Sequence, residues 1–223
     1  DIRSQAEKLA INLMHVGVTI DGAYESFLSI QRIMGSLVIA SDSLVLNTSL
    51  LKSQFGVIED DSVGFYKNMA FAAGSTVETQ ENMAYVAQYM SQAAQVSFPL
   101  IMKDIAKMSG TTLSLMSKYP EKIIRTAVEL RKMGTDLNKA AEGAAKLLDF
   151  TTSIQDEMDA SVLLGRGINL QQIRELTYKG KLVEANQKIL DIATETNFMD
   201  LDYFQRNSLA KALGKSVEEI TNM

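Results

Sequence analysis

Proline occurs only twice in the 223 residues of this chain, and this scarcity is what most constrains its fold. Proline breaks helices because it lacks a backbone N–H and its ring crowds the preceding turn, so long stretches here can run as helix. Capping-box patterns that start helices occur at Ser4, Ser75, Asn169 and Ser216. Glycines suited to ending helices follow apolar runs at Gly110, Gly134, Gly165, Gly180 and Gly214. We therefore predict an all-α fold, a multi-helix array with short glycine-capped turns.

These start and stop signals give a map of helices along the chain. Helices are predicted near residues 2–16, 20–34, 42–55, 62–73, 76–109, 111–118, 120–133, 136–164, 169–179, 181–194, 200–213 and 216–223. Pro99 is expected to kink or break the segment 76–109. Between Ser36 and Leu46 two short apolar runs fit a strand as well as a helix.

The segment 136–164 carries the clearest helical periodicity. Apolar and small residues recur in steps of three and four, from Leu137 through Leu147 and Ile154 to Val162, with charged residues on the opposite side. A continuous amphipathic helix of this length would measure roughly 40 Å. Its apolar face requires a partner, either another helix of the chain or another copy.

Composition divides the chain into two regions. Residues 1–134 form a helical region rich in methionine and aromatic residues, and residues 135–223 alternate helices with glycine-marked turns. The chain starts at Asp1 without an initiator methionine and closes on a helical pattern, so we expect a segment of a longer polypeptide.

The residues that usually carry chemistry are scarce. The chain has no cysteine and one histidine, His15, which reads as a packed side chain near a helix end. Its net charge of −5 does not favour a nucleic-acid surface. The acidic clusters at 59–61 and 156–159 are interpreted as solvated helix ends and faces. We predict no catalytic, cofactor-binding or metal-binding residue, and no enzyme activity.

Two glycine motifs invite a phosphate-site interpretation, and in both a turn is favoured. Gly214-Lys215-Ser216 resembles the end of a P-loop, but the glycine required five residues earlier is Leu209. A helix stop followed by a helix start is the better interpretation. Gly165-Arg166-Gly167 is compatible with an anion nest, and a tight turn is favoured because glycine supplies turn geometry.

The last hundred residues contain an ordered series of short motifs. The series comprises Leu147-Leu148-Asp149-Phe150, Ser153-Ile154, Glu157-Met158, Leu163 to Leu170, Arg174, Gly180, Ile189, Phe198, Asp200-Leu201, Gln205-Arg206 and Leu209 to Ile220. In this order it resembles a helical region of the tail tape measure proteins of tailed bacteriophages and prophage-derived tails, over about residues 120–223. Lys215 departs from the family pattern, which more often has an apolar residue such as methionine there.

The resemblance implies a structural, mostly helical virion protein in the phage tail. Such a protein sets tail length, lies in the tube lumen or at the baseplate hub or tail tip, and leaves during DNA ejection. The implied partners are other copies of itself and the tube and hub proteins, without specific nucleic-acid binding. Contact with a host membrane would involve only other parts of the parent chain. The candidate interaction residues are Leu147, Leu148, Phe150, Ile154, Met158, Gly165, Arg166 and Gly167.

Two other classes of function stay open at this point. One is an embedded enzyme domain, such as a peptidoglycan-degrading domain of a tail protein. The other is a cellular helical adaptor or scaffold, which would share the same helical pattern.

Overall fold

The computed structural model of the chain describes residues 2–14, 17–35, 41–73, 77–116 and 119–223. Within these ranges the regular structure is helical and contains no strand. The helices are α1 (Ile2–Leu13), α2 (Ile20–Met34), α3 (Asp42–Phe55), α4 (Glu59–Ala73), α5 (Val77–Ala93), α6 (Phe98–Ala106), α7 (Gly110–Leu115), α8 (Pro120–Lys132), α9 (Leu137–Leu148), α10 (Phe150–Leu164), α11 (Gln171–Tyr178), α12 (Leu182–Glu195), α13 (Tyr203–Ala212) and α14 (Val217–Asn222). A 3₁₀ turn, Phe198–Asp200, lies between α12 and α13. The predicted all-α fold is confirmed.

The alternative strand prediction between Ser36 and Leu46 is wrong where the structure describes it. Helix α3 begins at Asp42, and the hydroxyl of Ser41 accepts a hydrogen bond from the backbone N–H of Leu44. Residues 36–40 lie outside the described residues, as does His15, so the predictions about them stay predictions.

The predicted break near Pro99 is confirmed. Helix α5 ends at Ala93 and α6 begins at Phe98, which places Pro99 in the first turn of α6. At that position its missing N–H costs nothing, because the first N–H groups of a helix have no partner within it.

The long helix predicted over 136–164 is corrected to two helices. Asp149 ends α9 and starts α10 with φ −75° and ψ 82°, outside the helical region. Aspartate competes for local hydrogen bonds and favours helix starts. Here its carboxylate accepts from the hydroxyl of Thr152 at 2.7 Å, and its carbonyl accepts from the N–H of Ser153 at 2.8 Å.

The chain forms two compact units, and their boundary differs from the compositional division after Gly134. The N-terminal unit comprises the chain up to Met108 together with the start of α8, as far as Arg125. The C-terminal unit comprises α7 and everything from Thr126 onward. The division is therefore not a single cut in the sequence.

Helix α4 is the centre of the N-terminal unit and packs against α2, α3, α5 and α6. Phe65, Tyr66 and Met69 on this helix are fully buried. The side-chain amide of Asn68 donates to the carbonyls of Ile105 and Ala106, at 2.7 and 3.0 Å, which satisfies the end of α6.

The acidic cluster at the start of α4 is not the solvated patch that the sequence suggests. Glu59 and Asp61 are buried, and Glu59 pairs with Lys52 of α3 at 2.6 Å. Asp60 pairs with Arg32 of α2. The cluster therefore ties the first turn of α4 to neighbouring helices, in addition to complementing the helix dipole.

The C-terminal unit has a continuous apolar core contributed by α9 to α14. Its buried members are Leu147, Ala160, Leu170, Ile173, Ala185, Ile189, Ala193, Phe198, Leu209, Ala210, Ala212, Leu213 and Ile220. Helix α10 packs mainly against α13, while α9 packs against α7, α11 and α12. The break at Asp149 thus lets the consecutive helices α9 and α10 pack against different helices.

Candidate functional site: an apolar groove between α10 and α11

One face of α10 presents a row of apolar side chains to solvent. Phe150, Ile154, Met158 and Val162 are spaced four residues apart and are 52%, 49%, 58% and 80% exposed. Residues four apart lie one above the other on a helix surface and form a ridge. Ridges of this kind normally pack against another helix, and this one has no partner within the described part of the chain.

The opposite face of α10 is fixed to the unit. Ser153, Asp156 and Ala160 are buried there, three and four residues apart. Asp156 pairs with Lys211 of α13 at 2.8 Å. The sequence interpretation of Asp156 as a solvated carboxylate is therefore wrong, and the exposure of the row is a consequence of how α10 is anchored.

A buried ion pair joins α10 to α11 beneath the row. The guanidinium of Arg174 lies 2.6 Å from Oε2 of Glu157 and also donates to the hydroxyl and the carbonyl of Ser153, both at 2.9 Å. The other oxygen of Glu157 accepts from the backbone N–H of Leu170 at 3.2 Å. These contacts set the spacing of the two helices, because each charge is satisfied by the neighbouring element.

The row and α11 enclose an open groove of about 1140 Å³. On the α11 side the groove is lined by Ile168 and Tyr178 together with the polar side chains of Asn169, Gln171 and Glu175, and the Arg174–Glu157 pair also lines it. Tyr178 is largely exposed. The groove therefore combines an apolar row on α10 with polar groups on the α11 side, and its charged residues are engaged in ion pairs, Arg174 with Glu157 and Glu175 with Lys179.

The turn from α10 to α11 closes one end of the groove. Gly165 adopts the left-handed conformation with φ 65°, and the N–H of Arg166 donates to the carbonyl of Ser161 at 3.2 Å. The hydroxyl of Ser161 accepts from the N–H of Ile168 at 3.0 Å. Gly165, Arg166 and Gly167 therefore form a turn, with Arg166 exposed to solvent.

The candidate interaction residues are divided between the groove and the core. Phe150, Ile154 and Met158 line the groove. Leu147 is only 2% exposed and belongs to the core of the C-terminal unit, so it offers no free surface. Leu148 is half-buried.

Sequence reasoning missed the residues that build the groove around the row. It placed Glu157 on a solvated face, and it noted Arg174 only as part of the motif series. Ser153 and Glu157 lie four residues apart on α10, a spacing that puts both on one face. Their partner lies on the next helix, and no local pattern marks it.

The polar groups of the Gly214-Lys215-Ser216 motif are used within the fold. Gly214 ends α13 with φ 71°, and Ser216 starts α14 with a capping box that includes Glu219. The interpretation as a helix stop and start is confirmed. Among the residues that the structure describes, no group of three or more acidic, histidine or cysteine side chains is arranged to hold a metal ion.

Comparisons of the chain with models of protein families, with curated proteins and with solved structures find no match. Among the described residues, no helix combines the length and apolar character needed to cross a bilayer.

Proposed function

We propose that this chain is a structural segment of the tail tape measure protein of a tailed bacteriophage or a prophage-derived tail. In this proposal it acts by docking and has no enzyme activity. Its partners are other copies of the same protein, the tail tube and the proteins of the baseplate hub or tail tip. Its location is the virion tail.

The observation that carries the proposal is the exposed apolar row on α10. Phe150, Ile154 and Met158 belong to the motif series that resembles the tape measure proteins, and they face solvent in the groove. A contiguous row of exposed apolar side chains is a candidate interaction surface. A structural assembly protein needs such a surface, and the proposal assigns that role to the groove.

The lengths of the helices favour a docking role over the role of a ruler that sets tail length. A helix acts as a ruler by rising 1.5 Å per residue, which requires long continuous segments. The longest helix described here, α5, has 17 residues, and α10 has 15. Short helices folded into compact units favour a docking position at one end of the tail over the measuring part of the lumen.

An enzyme domain is less well supported by the groove. A lytic domain that uses a carboxyl group as general acid needs it free to reach substrate. Both oxygens of Glu157 accept hydrogen bonds from Arg174 or Leu170. Clearing of peptidoglycan by the purified chain would favour the enzyme alternative and contradict the proposal.

The proposal is tested in particles. Tails are purified from the phage or induced prophage that encodes the chain, and their proteins are identified by mass spectrometry. Absence of the chain from tails would refute the proposed function. Ile154→Asp with Met158→Asp is then introduced, and we expect at least a tenfold fall in normal tails counted by electron microscopy.

A matched control separates loss of the groove from general damage. Met199 lies outside the groove and is 61% exposed, close to the 58% of Met158. Met199→Asp should leave tail number and length unchanged. If the double variant still forms normal tails, the groove has no role in tail assembly.

A further inference from the structure

We propose that a smaller pocket of the C-terminal unit, at the start of α10, binds the phosphate group of a small molecule. The pocket lies where the end of α9 and the turn after α13 meet the first turn of α10. It is separate from the groove, and the inference does not depend on the proposed tail role.

The size of the pocket suits a small ligand. Its volume is about 300 Å³, at the lower limit of small-molecule sites, which run from about 300 to 1,000 Å³. Seven side chains in its lining can form hydrogen bonds, namely three lysines, two aspartates, one threonine and one serine. A pocket of this size with several charged groups favours a compact, charged ligand.

The first turn of α10 contributes Thr152 and Ser153 to the pocket and has no side-chain cap. Asp149 is the N-cap residue, but its carboxylate accepts no capping hydrogen bond from the backbone of the helix. It accepts from the hydroxyl of Thr152 instead, at 2.7 Å. The first N–H groups of a helix have no partner within it and carry partial positive charge, which favours a bound phosphate.

Two of the three lysines have no close carboxylate partner. Lys211 is engaged with Asp156 at 2.8 Å. Lys146 is exposed and forms no ion pair within the described part of the chain. The ammonium of Lys215 is buried and lies 3.9 Å from Glu219.

These two lysines also repel each other. Burial lowers the pKa of Lys215, and the positive charge of Lys146 lowers it further. An anion in the pocket would attract both ammonium groups and offset their repulsion. Phosphate suits this arrangement because it carries up to two negative charges and three oxygens that accept hydrogen bonds from several donors.

The carboxylates of the pocket do not favour a cation. Asp156 is already neutralised by Lys211, so Asp149 is left as the carboxylate without an ion pair. A cation near Asp149 would also meet the charges of Lys146 and Lys215. Asp149 does oppose a bound phosphate, and this opposition gives the proposal a test of sign.

Calorimetric titration of the whole chain with inorganic phosphate, at pH 7.5 and constant ionic strength, tests the proposal. We expect saturable binding with a Kd of about 1 mM or tighter, whereas chloride should give no saturable heat. In NMR spectra the amide signals of Thr152 and Ser153 should shift as phosphate is added. Glycerol 3-phosphate is the second probe; tighter binding than inorganic phosphate would identify a phosphate ester as the ligand, and weaker binding would identify free phosphate.

Lysine variants assign the binding to the pocket. Lys146→Met should weaken phosphate binding about tenfold, the equivalent of one hydrogen bond to a charged group. Lys188→Met is the matched control, because Lys188 lies on α12 outside the pocket and pairs with Asp191 at 3.4 Å. It should change the Kd less than about twofold, since charges on the exposed surface are screened. Equal loss in the two variants would refute the pocket as the site.

The variant Asp149→Asn tests the sign. Asparagine keeps an oxygen that can accept from the hydroxyl of Thr152 and removes the negative charge. Phosphate should therefore bind more tightly to this variant than to the wild type. Weaker binding by Asp149→Asn, or the absence of saturable binding to the wild type, would overturn the proposal.

Discussion

Lys215 is the side chain whose replacement tests the packing of the C-terminal unit most directly. Its side chain is 1% exposed, and its ammonium lies 3.3 Å from the carbonyl of Lys139 and 3.9 Å from a carboxylate oxygen of Glu219. A buried charge costs several kcal/mol of desolvation unless close partners compensate it. Both contacts here are long, so compensation is incomplete.

Lys215→Met should therefore stabilise the chain. Methionine is unbranched, similar in length and adaptable in packing. Replacing buried charges with apolar side chains of similar volume often stabilises proteins by about 1–4 kcal/mol. The variant removes only a long contact of Glu219, because Lys215 lies 3.9 Å from its carboxylate. The carboxylate of Glu219 still accepts a hydrogen bond from the N–H of Ser216 at 2.8 Å. We expect a gain of about 1–2 kcal/mol at pH 7, at the lower end of that range.

The effect should depend on pH in a defined direction. Burial lowers the pKa of Lys215 below its ordinary 10.5, reinforced by Lys146 and Lys139 and opposed by Glu219 and Asp136. The folded state then binds fewer protons than the unfolded state, so the free energy of unfolding of the wild type rises between the folded pKa and 10.5. Methionine has no proton to lose. The advantage of the variant should be largest below the folded pKa and shrink as the pH approaches 10.5.

The assay is urea unfolding followed by circular dichroism between pH 6 and 10. Lys211→Met is the matched control, since Lys211 is exposed and pairs with the buried carboxylate of Asp156 at 2.8 Å. Removing this partner should destabilise the chain, the opposite sign from Lys215→Met. Equal destabilisation by both variants, with no pH-dependent difference, would refute the desolvation argument.

Three further substitutions test other contacts. Arg174→Met should lower the free energy of unfolding by about 3–5 kcal/mol in urea titrations, because it leaves Glu157 without its buried partner; a loss below 1 kcal/mol would contradict this. Asp61→Asn should raise Tm at pH 7, because burial raises the pKa of this carboxyl despite nearby lysines. A raised pKa means that the folded state binds a proton more readily than the unfolded state. The difference in Tm between the variant and the wild type should therefore narrow as the pH falls through that pKa. Gly214→Ala should lower Tm by several degrees, since its φ is 71° and an added Cβ would lie 2.7 Å from the carbonyl oxygen of Gly143; an unchanged Tm would refute that close contact.

Some start and stop signals of helices were readable because they are local. A capping hydroxyl and a left-handed glycine act within four residues, so the end of α10 at Gly165 and the start of α14 at Ser216 follow from the sequence. Other predicted signals were wrong: Gly110 begins α7 after the capping Ser109, and Asn169 does not cap α11. The burial of the cluster at 59–61 was not readable in this way. It depends on Lys52 and Arg32, which reach it from two other helices.

The groove shows that a helical pattern predicts an apolar face but not whether that face is buried or exposed. On one continuous helix Leu147 and Phe150 would share a face, because residues three apart are neighbours. In the structure Leu147 is 2% exposed and Phe150 is 52% exposed. The non-helical ψ at Asp149 redirects the chain between them, so α9 turns its apolar side to the core while α10 presents the row outward. The apolar pattern predicts that both faces require a partner, but one residue between them decides which face packs within the chain and which stays exposed to solvent.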